Sequence, residues 1–280
     1  FNASLNGRHP CVQLLLDRHA DPNVSNETGS TPLHQASMDG HDQCVELLLN
    51  HQADVNPADR HGYVPLHHAS RNGHQQCVEL LLDRHADINA IDEYRKSPLH
   101  HVSRTGHQQC LELLLDRHAS VNTRELEGET PLHLASLSGY RRCIEILIDR
   151  GADVNAADHA GNTPLHYASE MAHHPCIELL LDRHANVNVT DGAGNTPLHL
   201  ASRKGHHQCV EILIDRGANK SLTNVCDCPS IHRPPSLDTL LARVWMIRFT
   251  TDNAVRSNLI NDRTRAKHRN RSRAQPPLHD

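Results

Sequence analysis

Apolar residues return along the chain with a helical beat inside a longer, fixed period. Between residues 42 and 50, Cys44, Val45, Leu48 and Leu49 fall at i, i+1, i+4 and i+5 while Glu46 interrupts them, which predicts a helix with one apolar face. The same stripe recurs at Cys77, Val78, Leu81 and Leu82, and again from Cys110, Cys143, Cys176 and Cys209, always 33 residues on. About ten residues before each stripe stands a second signal: Thr31-Pro32-Leu33-His34, then Val64-Pro65-Leu66-His67, Ser97-Pro98-Leu99-His100, Thr130-Pro131-Leu132-His133, Thr163-Pro164-Leu165-His166 and Thr196-Pro197-Leu198-His199. A hydroxyl residue before proline is an N-cap followed by a preorganised first helical position. A short inner helix is therefore expected at each tetrapeptide, ending at Gly40, Gly73, Gly106, Gly139 and Gly205, where glycine tolerates the left-handed conformation. The Asp, Asn, Pro and Gly residues between Ala53 and Gly62 suit the hairpin or loop that joins one helix pair to the next.

Self-similarity at this period signals a stacked array in which no unit buries its apolar face alone. The 33-residue unit and its Thr-Pro-Leu-His motif resemble ankyrin repeats throughout residues 1–223. The expected fold is all-α, a solenoid of helix-turn-helix units joined by hairpin loops. Six whole units are expected near 26–58, 59–91, 92–124, 125–157, 158–190 and 191–223, after a partial one at 1–25. Phe1 aligns with His34, so the first inner helix lacks its cap and the sequence reads as a fragment. No signal-peptide pattern and no membrane-length apolar run is present, and the expectation is a soluble cytoplasmic protein, with a nuclear location as the alternative.

Cysteine and histidine look at first like chemistry. Seven of nine cysteines (Cys11, Cys44, Cys77, Cys110, Cys143, Cys176, Cys209) share one repeat position, and packed helices about 8–10 Å apart hold them beyond disulfide reach. They read as small apolar core residues in a reducing compartment. Of 26 histidines, His34, His67, His100, His133, His166 and His199 occur once per unit. They form a row, not a metal shell, and are expected to bond hairpin backbone groups. His19, His85, His118 and His184 take the outer-helix end where Gly151 and Gly217 stand in other units. Two readings are open for them: tolerated turn residues, or cations favoured by the helix C-terminus that would stabilise the fold on acidification.

Every Ser, His, Asp or Glu that could enter a catalytic triad recurs in register as scaffold, and no phosphate-binding glycine loop occurs. No enzyme, cofactor or metal site is expected. Asp17-Arg18, Asp83-Arg84, Asp116-Arg117 and Asp182-Arg183 read as solvated helix ends. Function is sought where units differ, at hairpin tips and inner-helix ends, which in ankyrin-type domains commonly contact partner proteins. Tyr and Arg are frequent interface anchors, so Tyr63, Arg71, Tyr94, Lys96, Arg104 and Met171 are the candidate partner-binding residues. Val64, Arg95 and Ala172 depart from the pattern by removing a cap hydroxyl, a hairpin glycine and an interhelical glycine. By resemblance, Asn56, Asn89, Asn122, Asn155 and Asn188 occupy the turn in which ankyrin repeats can be hydroxylated on asparagine, although a plain turn role also accounts for them.

The register lapses after Thr223, and residues 224–249 read as an aborted repeat and an amphipathic capping helix with Leu237, Leu240, Leu241, Val244 and Trp245 on one stripe. Ser236 to Arg248 also resembles a degraded suppressor-of-cytokine-signalling box, lacking its cysteine and the cullin-binding segment; that resemblance implies elongin and cullin as partners. Cys226, Cys228 and His232 resemble a partial metal site, but three candidate ligands without a second pair are weak evidence for one. Residues 1–223 hold 18 basic against 28 acidic residues, a balance of −10, whereas 224–280 hold 10 against 5, a balance of +5. Residues 250–280 read as a basic disordered tail, either merely solvated or suited to nuclear import or acidic partners. No aromatics interleave with its arginines to stack on bases.

Overall fold

The computed structural model describes residues 1–224, and every regular element among them is an α-helix. The candidate residues Leu237, Leu240, Leu241, Val244 and Trp245, the Cys226, Cys228 and His232 set, and the basic tail lie outside the described residues. The partial first unit contains α1 (Asn2–Leu5) and α2 (His9–Asp17). Six helix pairs follow: α3 (Pro32–Asp39) with α4 (Asp42–Asn50), α5 (Pro65–Asn72) with α6 (Gln75–Asp83), and α7 (Pro98–Thr105) with α8 (Gln108–Asp116). The series continues with α9 (Pro131–Ser138) and α10 (Arg141–Asp149), α11 (Pro164–Glu170) and α12 (His174–Asp182), and α13 (Pro197–Lys204) and α14 (His207–Asp215).

Odd-numbered inner helices pack on one another in order, and even-numbered outer helices do the same. Each unit therefore touches only its neighbours, as the one-dimensional logic of a repeat array requires. The core between layers is a column of identical choices: Leu33, Leu66, Leu99, Leu132, Leu165 and Leu198 are fully buried, as are Ala36, Ala69, Ala135, Ala168 and Ala201. Each such leucine contributes about 1.5–3 kcal/mol by leaving water, and Leu99→Ala would cost about 2–5 kcal/mol because rigid neighbours on both sides cannot collapse into the space.

Hairpins between units are closed by an acidic or amide side chain. Asp92 Oδ1 accepts the amides of Tyr94 and Lys96 at 2.9 and 2.8 Å, and Asp59, Asp158 and Asp191 do the same in their own units. Gly73 (φ +76°) shows why glycine ends an inner helix. A Cβ there would collide with the His107 ring of the next unit, so the position needs both the left-handed backbone and the missing side chain. The exceptions stand as the sequence placed them, with Arg95 at φ 61° and Ala172 at φ 60°. At the latter, α11 has 7 residues where α9 has 8.

Candidate interaction surface

Three sets of side-chain ties join the units before any side chain is left for a partner. In the first, the tetrapeptide histidine spans two units. His34 Nδ1 accepts from the Thr31 amide at 3.0 Å and the Thr31 hydroxyl at 2.9 Å, while its Nε2–H donates to the Tyr63 carbonyl at 3.0 Å. His100, His133 and His166 repeat both halves of this bridge. Val64 has no hydroxyl, so His67 receives only the amide. The histidine row is thus consumed by backbone groups, as the sequence implied.

The second ladder adds to the reading of the Asp-Arg pairs as solvated ends, for the side chains are exposed yet reach across to the next unit. Arg117 bonds Asp83 at 2.9 Å, Arg150 bonds Asp116 at 2.8 Å, Arg183 bonds Asp149 at 2.5 Å and Arg216 bonds Asp182 at 2.6 Å. Each pair links one outer helix to the next. The turn asparagines form a third tie: Asn155 Oδ1 accepts the Asn186 amide at 2.8 Å and its Nδ2 approaches the His184 carbonyl at 3.4 Å. Cys44 through Cys209 are buried, and burial pushes the Cys77 thiol to about 12 and Cys110, Cys143, Cys176 and Cys209 to about 11. Such thiols are poor nucleophiles. Cys11, expected in the core, is exposed, because no described helix covers the outer side of α2. His19, His85, His118 and His184 do adopt the left-handed backbone, at φ 61–67°.

The candidate partner-binding residues divide by environment. Tyr63 is half-buried and lies between two imidazoles, stacked on His68 with centroids 5.2 Å apart and tilted against His101 at 5.3 Å. Burial pushes its phenol upward. Both imidazoles are themselves buried, with His101 2.9 Å from Asp92 and His68 3.8 Å from Asp59. Tyr94 stands half-exposed at a hairpin tip with Lys96 Nζ 5.8 Å from its ring centroid, and Lys96 also lies 3.9 Å from the buried Glu125. Arg71 and Arg104 are exposed in the last turns of α5 and α7. Met171 is 48% exposed two units away and does not join this cluster.

The structure adds residues that the sequence reading passed over. Leu126 and Ile91 are more than half exposed, and the Leu126 amide donates to the Tyr94 carbonyl at 3.0 Å. Tyr94 and Leu126 are therefore neighbours on adjacent tips. The available signal was a lone leucine in a column otherwise made of Glu27, Arg60, Glu93, His159 and Gly192. No cluster of metal-binding side chains occurs among the described residues, and no helix there is long and apolar enough to cross a membrane.

A one-dimensional helical solenoid whose units are tied by repeated side-chain bonds, with a variable rim, defines the class. The ankyrin repeat family model (three copies) matches residues 1–92, 89–158 and 154–224, and the chain belongs to the ankyrin repeat family. Among solved structures it is similar to the human ASB11 ankyrin repeat domain, at 29% identity and TM-score 0.71, over 78% of this chain and 97% of that one. No curated protein matches it significantly.

Proposed function

We propose that this array is a non-catalytic protein-interaction scaffold that binds a partner protein through its hairpin tips and inner-helix face. The observation that carries the reading is the contrast between the two faces. At the outer-helix ends Arg117, Arg150, Arg183 and Arg216 are held by carboxylates of the neighbouring unit, whereas Arg71, Arg104, Tyr94 and Met171 are exposed at positions that vary from unit to unit. A fold without chemistry of its own acts through such side chains. Tyr63 and Lys96 hold the tips in place and border the surface.

A second reading makes the protein a substrate receptor of an elongin/cullin ubiquitin ligase. It rests on the resemblance of Ser236 to Arg248 to a degenerate box, together with an array similar to that of ASB11. Paired affinity purification of the full chain and a chain ending at Thr223 separates the two. Elongin and cullin bound only by the full chain would favour the ligase reading; the same partners on both baits would favour the scaffold alone. Failure of either bait to retain any protein would count against both.

A further inference from the structure

Exposed arginines without carboxylate partners gather on the hairpin tips and inner helices of units two and three. Asp59, Asp92 and Glu125, the hairpin-closing carboxylates of units two to four, are each already engaged. Asp59 and Asp92 accept hairpin amides and face His68 and His101, while Glu125 accepts the amides of Glu127 and Glu129 and faces Lys96. Glu93 is bonded to His61 at 2.8 Å. Arg60, Arg71, Arg95 and Arg104 are all exposed, and among the described residues none of their guanidiniums has a carboxylate partner. By contrast, the inner-face Glu170 of the fifth unit is answered by Lys204 at 3.2 Å. The three exposed apolar side chains Ile91, Tyr94 and Leu126 border the same two units.

The register sets a spacing. Arg71 and Arg104 are 33 residues apart, in equivalent last-turn positions of α5 and α7, which pack against each other. Packed helices lie about 8–10 Å apart, and a peptide in the extended polyproline II conformation advances about 3.1 Å per residue with three residues per turn, so that residues i and i+3 share one side. Carboxylates three residues apart on such a peptide would therefore meet the two guanidiniums in turn, each able to accept a two-pronged bond.

We propose that Arg71 and Arg104 on the inner helices, with Tyr94 and Leu126 on the hairpin tips of units three and four, form a docking site for an extended acidic segment of a partner protein. Its carboxylates are spaced i, i+3, and an apolar side chain rests on Tyr94 and Leu126. This rests on the scaffold reading and narrows it. The net −10 of residues 1–223 opposes a polyanion such as RNA, whose phosphates would meet the whole array. A short peptide meets only the local surface.

Fluorescence anisotropy of the full chain tests this with fluorescein-labelled Ser/Gly dodecapeptides. Each carries one leucine and two glutamates spaced i, i+3 or i, i+1, or two glutamines in their place. The i, i+3 peptide is expected to bind about ten-fold tighter than the glutamine peptide at low salt, the sum of two exposed charge pairs, and to weaken as salt rises. Arg71→Gln/Arg104→Gln should abolish that margin while Arg203→Gln leaves it. These side chains are exposed, so an unchanged melting curve verifies the fold. Equal affinity for all three peptides, an unaltered double variant, or tighter binding of a labelled oligouridylate would each overturn the proposal. In parallel, the double variant serves as bait in the affinity purification. Partners retained equally by variant and parent would overturn the acidic-peptide site and leave the scaffold reading standing; no partner on either bait would remove the scaffold reading itself.

Discussion

His67 ties its own unit to the next through Lys96: its Nε2–H donates to the Lys96 carbonyl at 3.0 Å while Nδ1 accepts the Val64 amide at 3.1 Å. A protonated ring would turn a second N–H toward that amide, donor against donor. The site therefore holds the neutral imidazole. Burial foremost, aided by His101, lowers the His67 pKa to about 4; burial likewise lowers His68 and His100 to about 4.

Stability should consequently fall on acidification. In the unfolded chain these rings titrate near about 6.5, so between there and pH 4 the unfolded state takes up protons that the folded state refuses. Each histidine then removes up to about 1.4 kcal/mol per pH unit across that window, and nothing is lost above it. This trend runs opposite to the acid stabilisation considered for His19, His85, His118 and His184, which are exposed at the helix ends. Urea midpoints at pH 7.5 and 5 would decide; an equal or higher midpoint at pH 5 contradicts the argument.

Val64→Thr should stabilise the protein. In the first and fourth whole units a threonine hydroxyl reaches the histidine Nδ1 at 2.9 and 2.8 Å, and Val64 leaves that acceptor with one donor in a buried site. The expected gain is about 0.5–1 kcal/mol, the usual worth of a cap. It should be read from denaturant unfolding at about pH 8.5, where a ring that titrates at about 6.5 in the unfolded chain is essentially neutral in both states.

A row of buried serines offers a second gain. The hydroxyls of Ser37, Ser70, Ser103, Ser136, Ser169 and Ser202 lie away from solvent with no hydrogen-bond partner. An unpaired buried hydroxyl costs about 1–3 kcal/mol, and alanine is the better helix former. Ser103→Ala, at a fully buried position, should raise the midpoint by about 1 kcal/mol in free energy. A loss of stability would mean that the hydroxyl has a partner in solution.

How far the chain could be read before folding depends on whether a feature lies within one unit or between two. The tetrapeptide cap, the apolar stripe and the glycine ends are local, and each became the element it announced. The Arg183 to Asp149 bond joins residues 34 apart, and no pattern inside one unit shows that the Asp of one helix end faces the Arg of the next. The same limit hid the core-like setting of Tyr63, whose neighbours His68 and His101 belong to two units. Arg71 and Arg104 were legible as variable residues, but their lack of carboxylate partners appears only once Asp59, Asp92 and Glu125 are seen to be engaged.

Arg95 sets stability against binding at a single position. It holds φ 61° at a hairpin tip where Gly62, Gly128, Gly161 and Gly194 stand in other units. A side chain in that region costs about 1 kcal/mol relative to glycine, partly offset by the greater freedom glycine gives the unfolded chain. Arg95→Gly should therefore raise the denaturation midpoint by about 0.5 kcal/mol in free energy. The same change removes one of four guanidiniums bordering the proposed acidic-peptide site, so the affinity for the i, i+3 glutamate peptide should drop about two- to three-fold, as expected for one exposed charge. Arg95→Ala separates the effects, since it removes the charge and keeps the strain. A glycine variant that melts higher and binds the peptide as tightly as the parent would show that Arg95 is a blemish of the repeat and takes no part in docking; a gain in stability coupled to a loss of binding is the trade expected of a residue kept for function.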